Sequence, residues 1–397
     1  METDRRRTGI SWLEGLSIPA RWSQTKVKYL VRDMRAGEAI TADDIQPEGR
    51  YPVYGGNGLR GYTNAYTHSG TRILIGRQGA LCGNVHLVTG DFWASEHAIV
   101  AETVSGVDGR WLTHLLRVMN LGQYSQTSAQ PGIGTGQISA LAVPLPTLEE
   151  QCAIADYLGT ETAHIDVLIQ AQQHLVSLLT ERRRAVAADV LGVRVGTGDR
   201  LKWLVTEIDH RAGDKMAELP LLSVSISWGV RRRDEVSDEL SRADDLSNYK
   251  VCGAGDLVIN RMRAFQGALG LAPESGLVSP DYAVLEIDSS VDSGWLAAVM
   301  KTPAFVAEMA QRVKGIGSAE LGSVRTPRIN VTDLGDIRID VPNRPAQLAE
   351  SSELRRQVAT IDELVAHAKC LIGLAQERRA ALIVAAVTGQ TSVSNVA

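Results

Sequence analysis

The sequence predicts an α+β protein made by tandem duplication. Two α/β-mixed domains are expected, separated by two long helices packed as an antiparallel coiled coil, with an internal pseudo-two-fold relation. Three observations predict it. Ile165-Asp166, Leu168, Leu175, Leu178 and Glu181-Arg182-Arg183 recur 196 residues later, without a gap, as Ile361-Asp362, Leu364, Leu371, Leu374 and Glu377-Arg378-Arg379. At an offset near 184, Ile75-Gly76-Arg77 faces Ile259-Asn260-Arg261, Gly83 faces Gly267, Ser95 faces Ser279, and Gly132-Ile133-Gly134 recurs as Gly315-Ile316-Gly317. Finally, apolar residues keep combined three- and four-residue steps over two stretches of about 40 residues, the periodicity of one buried helical stripe. The expected boundaries are a first domain at 1–148, a first helix at 149–196, a second domain at 197–345, and a second helix with a tail at 346–397.

In the first domain, Lys28-Tyr29-Leu30-Val31 opens a pattern that Lys202-Trp203-Leu204-Val205 opens again in the second. β-branched runs at Thr71 to Ile75 and Val85 to Val88 predict strands, and Trp111 to Met119 a helix. Pro144 and Pro146 block an earlier start to the first long helix, Thr147 and Glu150 have capping-box spacing, and Gly192 is a stop. Its stripe is Ile154, Leu158, Ile165, Leu168, Leu175, Leu179, Val186 and Val190. In the second domain Asp256 to Ile259 and Tyr282 to Ile287 predict strands, and Trp295 to Met309 a helix. The second long helix is expected from about Leu348 to Val387, with Leu354, Val358, Ile361, Leu364, Ala368, Leu371, Ala375 and Leu382 inward. At 1.5 Å per residue each helix is about 60 Å long, more than one small domain needs, so the two stripes are expected to cover each other.

Composition narrows the function. The 397 residues are 44% apolar and 22% charged, an ordinary globular balance of at least two domains. The longest apolar run, Ala380 to Val387, is far short of a membrane span, and no basic-then-apolar leader opens the sequence, so a cytoplasmic location is expected. Cys82, Cys152, Cys252 and Cys370 are too scattered for a thiolate set, and the eight histidines form no HExxH pattern, so no metal site is expected. The net charge is −5. Residues 1–148 carry 14 Lys+Arg against 12 Asp+Glu, residues 197–345 carry 18 against 22, and no segment is a basic tail. Nucleic-acid contact would therefore have to use local clusters or a partner's charge.

No enzyme signature appears. Gly56-Asn57-Gly58-Leu59-Arg60-Gly61 fits GxGxxG, but Tyr51-Pro52-Val53-Tyr54 is not a clean buried strand and no dinucleotide-binding helix follows, so a turn or DNA-facing loop around Asn57 is the better reading. There is no GxxxxGK[ST] phosphate loop and no nucleophile signature. Arginine suits guanine, and asparagine or glutamine suits adenine, in bidentate pairs. Gly76-Arg77-Gln78-Gly79 and Asn260-Arg261-Met262-Arg263 hold matching places after a strand, so Arg77, Gln78, Asn260, Arg261 and Arg263 are candidate DNA contacts. Arg231-Arg232-Arg233 is a candidate phosphate clamp, and Gln123, Tyr124 and Ser125 are a weaker group. Arg182, Arg183, Arg378 and Arg379 stand late in the helices, where cations favour the helix C-terminus; contact with phosphates or a partner subunit is the alternative.

The combination resembles the specificity subunit of type I restriction–modification systems. The resemblance runs through Ile18-Pro19-Ala20-Arg21-Trp22, Tyr51 to Gly58, Gly76 to Gly79 with Gly83-Asn84, and Pro144-Leu145-Pro146 leading to Glu150-Gln151 and Glu181-Arg182-Arg183. It continues through Leu221 to Ser225, Gly255 to Arg263, Gly276 to Pro280, Glu377-Arg378-Arg379 and Ala386 to Gly389. The resemblance implies two target-recognition domains, each reading half of a split, asymmetric site in double-stranded DNA, with the helices as a ruler. It implies a non-catalytic subunit. The partners would be two methylation subunits, which hold S-adenosylmethionine and methylate adenine N6, and restriction subunits using ATP and Mg²⁺; no cofactor would belong to this chain. The second helix departs from the pattern, with Pro345-Ala346-Gln347-Leu348 where the first has Glu150-Gln151. A protein-interaction scaffold, or an orphan or inactive specificity subunit, stays open as an alternative.

Overall fold

The computed structural model describes residues 4–125, 131–213, 219–236, 245–313, 327–391 and 393; Gly315-Ile316-Gly317 lies outside them. The chain forms two compact units, 1–173 with 370–397, and 174–369, so each holds one domain and a stretch of both long helices.

In the first unit the elements are β1 (Val31–Ala36), β2 (Tyr51–Gly55), β3 (Gly58–Thr63), β4 (Arg72–Gly76), β5 (Val85–Val88), β6 (Ala98–Thr103), α1 (Gly109–Val118) and the start of the long helix α2 (Leu148–Leu191). A four-stranded antiparallel sheet has the order β1-β6-β4-β5. Side chains alternate across a strand, and β4 shows both outcomes. Ile73 and Ile75 join Ile99, Ala101 and the α1 residues Trp111, Leu112, Leu115 and Leu116 in one core. Leu74 enters a smaller cluster with Val88, Phe92 and Val100 on the other face. Asp108 caps α1, accepting from the main-chain N–H groups of Arg110 and Trp111.

The second unit holds β7 (Val205–Ile208), β8 (Leu222–Ser225), β9 (Gly229–Arg232), β10 (Leu257–Asn260), β11 (Leu269–Leu271), β12 (Tyr282–Ile287), α3 (Ser293–Met300), α4 (Pro303–Gln311) and the start of α5 (Arg344–Val387). Its main sheet, β7-β12-β10-β11, repeats the first order. Leu257 and Ile259 face Trp295, Leu296, Val299 and Met300, while Val258 faces Leu222, Val224 and Val230. The single helix expected from Trp295 to Met309 is two helices. Thr302 caps the second through the Phe305 N–H and Pro303 opens it, because proline fits a first turn but breaks a helix interior.

The capping box of α2 is present: Glu150 N donates to Thr147 Oγ1 at 3.3 Å and Thr147 N to Glu150 Oε2 at 3.2 Å. Gly192, at φ +61°, ends that helix. The second long helix begins four residues before Leu348, at Arg344, since the Asn343 side chain takes the Ala346 N–H at 3.1 Å. Gln347 restores what the missing Glu-Gln pair seemed to remove. Gln151 accepts from Asp108 N at 2.9 Å and donates to Pro146 O at 3.0 Å; Gln347 accepts from Asp292 N at 2.7 Å and donates to Pro342 O at 2.8 Å. Each glutamine is 1% exposed and ties its long helix to the cap of a domain helix.

Within each unit the two long helices run antiparallel. In the first, Asp166 pairs with Arg379 at 2.9 Å, while residues 150–154 lie by Gly389 and Gln390. In the second, Arg183 pairs with Asp362 at 2.9 Å and Arg194 with Glu350 at 2.6 Å. The seam keeps only part of the expected stripe. Ile154, Leu158, Ile165 and Ile361 are buried, as are Ala368 and Ala375; Leu179, Val358 and Leu382 are half-buried. Leu168, Leu175, Leu364 and Leu371 are instead exposed at 47%, 39%, 47% and 48%. A coiled-coil seam takes two positions per heptad, and here it passes through Ile165, Ile169, Gln172 and Val176. Leu168 and Leu175 precede two of these by one residue, a rotation of about 100° away from the seam. No helix among the described residues is long and apolar enough to cross a membrane.

Candidate nucleic-acid interface

In the first unit three loops converge beside the sheet: the β2–β3 turn, the segment Gly76 to Asn84 after β4, and Ser95 to His97 before β6. Arg77 N donates to His97 O at 2.8 Å and Gly76 N to Asn84 O at 2.8 Å. Gly76 must be glycine, since a Cβ there would lie 2.3 Å from Gly56 O. This packing gathers amide and imidazole edges. Asn84 Nδ2 donates to Asn57 Oδ1 at 3.2 Å, and His97 Nδ1 lies 3.2 Å from Gln78 Oε1. Asn57 and Gln78, far apart in sequence, thus share one exposed patch with Asn84 and His97. Neither Asn84, quoted above only for the family resemblance, nor His97 was a candidate contact in the sequence; both join the patch through backbone pairing.

Arg77 and Arg261 have the same main-chain frame and different side-chain fates. Ile133 N donates to Arg77 O at 3.0 Å and Ile329 N to Arg261 O at 3.0 Å. Arg261 then turns back on its own frame, donating Nε to Ile329 O at 3.1 Å and Nη2 to Asn330 Oδ1 at 3.2 Å. These matched main-chain bonds align Ile133 with Ile329, not with the expected Ile316, so the residue corresponding to Asn330 is Gly134, which offers no side-chain acceptor, and the Arg77 guanidinium makes no hydrogen bond among the described residues. Arg77 is free to donate outward.

Three candidates in the second unit are engaged within the fold. Asn260 is 7% exposed, accepting from Met262 N at 3.1 Å and donating to the Tyr282 hydroxyl at 3.5 Å, so it is too buried to meet a base edge. Arg261 is tethered as described. Arg232 pairs with Glu274, its Nη2 donating to Oε2 at 2.5 Å, and is no longer a free clamp. Arg231 and Arg263 are exposed, and Arg233 is half-buried. Arg233 and Arg263 lie near Tyr282, whose phenol burial pushes up while these two cations pull it down.

The helix arginines are largely engaged inside the chain. Arg183 and Arg379 hold Asp362 and Asp166, Arg182 holds Asp189 at 2.9 Å, and Arg378 is exposed. Near Arg379, a groove of about 540 Å³ lies between α1 and α2, lined by Arg110, His114 and Arg117 among others. Burial, then the charges of Arg117 and Arg379, push the His114 imidazole down to about 4. Its Nδ1 has no hydrogen-bond partner among the described residues. Among the described residues, no group of three or more His, Cys, Asp or Glu side chains could hold a metal ion.

Comparison with known proteins matches the family model "Type I restriction modification DNA specificity domain" over residues 22–175. The match covers the loop cluster and the start of α2. That stretch of the chain is a type I restriction modification DNA specificity domain. The chain is 45% identical over 132 residues to the type I restriction enzyme EcoprrI specificity subunit of Escherichia coli, covering 32% of this chain and 33% of that one. It thus matches about a third of that relative's length. To the type I restriction enzyme EcoDI specificity subunit of Escherichia coli it is 21% identical over 370 residues, covering 83% of this chain and 80% of that one. A solved structure described as "Structural basis underlying complex assembly and conformational transition of the type I R-M system" shares the fold at a TM-score of 0.61 and 15% identity, over 95% of this chain and 100% of that chain.

Proposed function

We propose that this chain is the sequence-reading subunit of a type I restriction–modification complex. Its two domains, at 1–148 and 197–345, would each read one half of a split, asymmetric site in double-stranded DNA, and its long helices would fix the unread gap. The observation that carries this is a repeated frame with unlike loops. Sheet order, glutamine clamp and inter-helix ion pair recur, whereas Gln78 becomes Met262 and Gly134 becomes Asn330. A duplicated frame with different donor and acceptor sets suits two unlike half-sites, as a symmetric dimer suits a palindrome.

The chain supplies recognition and no chemistry. Two methylation subunits would bring S-adenosylmethionine and flip the adenine to be methylated at N6, and restriction subunits would bring the ATP- and Mg²⁺-dependent step. Exposed apolar side chains on the long helices, Leu168 and Leu371 in one unit and Leu175 and Leu364 in the other, suit docking of such partners.

Base-resolution mapping of adenine methylation tests the reading, in cells making the neighbouring methylation subunit with and without this chain. A new mark confined to one split, asymmetric motif is expected. An active, bound methylation subunit that leaves no such mark would favour a scaffold or an inactive subunit.

A further inference from the structure

The β8–β9 hairpin of the second unit is built to present its tip. Leu222, Val224 and Val230 are 5–7% exposed and anchor it on the sheet. The ladder closes with Ser225 opposite Gly229, leaving Ile226-Ser227-Trp228 as the turn. Gly229 adopts φ +78°, which an L side chain rarely takes. Ser225 Oγ accepts from Ser227 N at 3.3 Å and lies 3.1 Å from Ser227 Oγ, so the turn is braced from within. At its base, the Arg232–Glu274 pair fixes the outgoing strand. Yet the braced tip carries two large apolar side chains in solvent, Ile226 at 44% exposed and Trp228 at 42%.

Cations flank this tip. Arg231, next to Arg232 on the strand, is exposed and pairs with no carboxylate among the described residues. Lys301, at the end of α3, brings its Nζ within 3.2 Å of where a Gly229 Cβ would stand, and it too lacks a carboxylate partner there. Desolvation, and then the like charge of Arg183, lower its pKa. An exposed apolar pair set between unpaired cations fits a polyanion with apolar surface between its charges. Duplex DNA offers this: phosphates outside, base edges and sugars within.

We propose that Ile226 and Trp228 pack against the bases or sugars of DNA, with Arg231 and Lys301 on flanking phosphates, and so determine part of the half-site read by the second domain. The inference rests on the DNA-recognition reading above and goes beyond it by naming the apolar tip Ile226 and Trp228, beside the Arg231 already a candidate, as a contact surface. The β2–β3 turn of the first unit carries Gly56-Asn57 and no aromatic residue, so the effect belongs to one half-site only.

The test maps adenine methylation in cells making the methylation subunit with the wild-type chain, Trp228→Ala, Trp228→Phe, or Arg231→Gln with Lys301→Gln. It also measures binding of each purified methylation–specificity complex to duplexes carrying the mapped site or single-base changes. Trp228→Ala is expected to lose on the order of tenfold in affinity and to accept changed bases in one half-site, while the other half-site keeps its stringency. Trp228→Phe should retain the wild-type motif. The double glutamine variant should weaken all duplexes alike and flatten the slope of log affinity against log salt by about two. An unchanged motif and affinity in Trp228→Ala, or a loss matched by failed assembly that Trp228→Phe does not repair, overturns the inference. A wild-type chain that directs no motif overturns the DNA-recognition reading itself, and this inference with it.

Discussion

The Arg261 guanidinium reaches Asn330 Oδ1 at 3.2 Å, and the place of Asn330 in the first unit is held by Gly134. One side chain thus separates two arginines that share a main-chain frame. Arg77→Ala is expected to relax one base position while leaving the stability within about half a kcal/mol of wild type. Arg261→Ala removes bonds to Ile329 O and Asn330 and should lower stability by about 1–3 kcal/mol. Methylation mapping beside thermal melting separates the two; a relaxed motif from Arg261→Ala at unchanged stability would contradict this assignment.

Gln151 and Gln347 each join a long helix to the cap of a domain helix while almost fully buried. Leucine at either place strands a main-chain N–H and a carbonyl, at about 1–3 kcal/mol per buried group. Both variants should melt several degrees lower than wild type. A variant as stable as wild type would show that the clamp is dispensable.

The inter-helix ion pairs are expected to matter much less. Arg183 and Asp362 are 44% and 53% exposed, so their attraction is screened by solvent. Arg183→Ala should cost no more than about 1 kcal/mol in chemical denaturation. If the same variant cuts methylation tenfold at unchanged stability, Arg183 meets DNA or a partner as well.

Stability should fall on mild acidification. His114 is held down to about 4 in the folded chain, against 6.5 for a free imidazole. Between these values the unfolded chain takes up a proton that the folded chain refuses, so the unfolded state gains as pH falls from 6.5 towards 4. The groups that face it are Arg117 and Arg379, which repel the added charge, and Asp108, which offsets them in part. His114→Gln should flatten the decline in melting temperature between pH 7 and pH 5, whereas an unaltered slope would place its origin elsewhere, for example at His68 or His86, both also lowered by burial.

The duplication and the elements were legible in the sequence because local signals enforce them. Thr147 with Glu150 caps, Gly192 stops, and β-branched runs at Val85 to Val88 and Tyr282 to Ile287 became the strands expected. Proline at 303 could also have been read as a helix break, since its effect is local. Ala368 and Ala375 are buried as the stripe places them, but Leu364 and Leu371 are not, because a coiled coil selects by angle while a stripe read from hydrophobicity takes in leucines beside the seam.

The sequence by itself determined the repeat, the helix caps and the strand positions, all set by interactions between residues near one another in the chain. Tertiary structure alone decided which polar side chains are available. Asn260 looks like a base reader until Tyr282 and Met262 take its amide, and Arg261 looks like Arg77 until Asn330, 69 residues away, occupies its guanidinium. Whether a donor is free depends on desolvation and on partners brought close by folding, and neither is written in the local sequence.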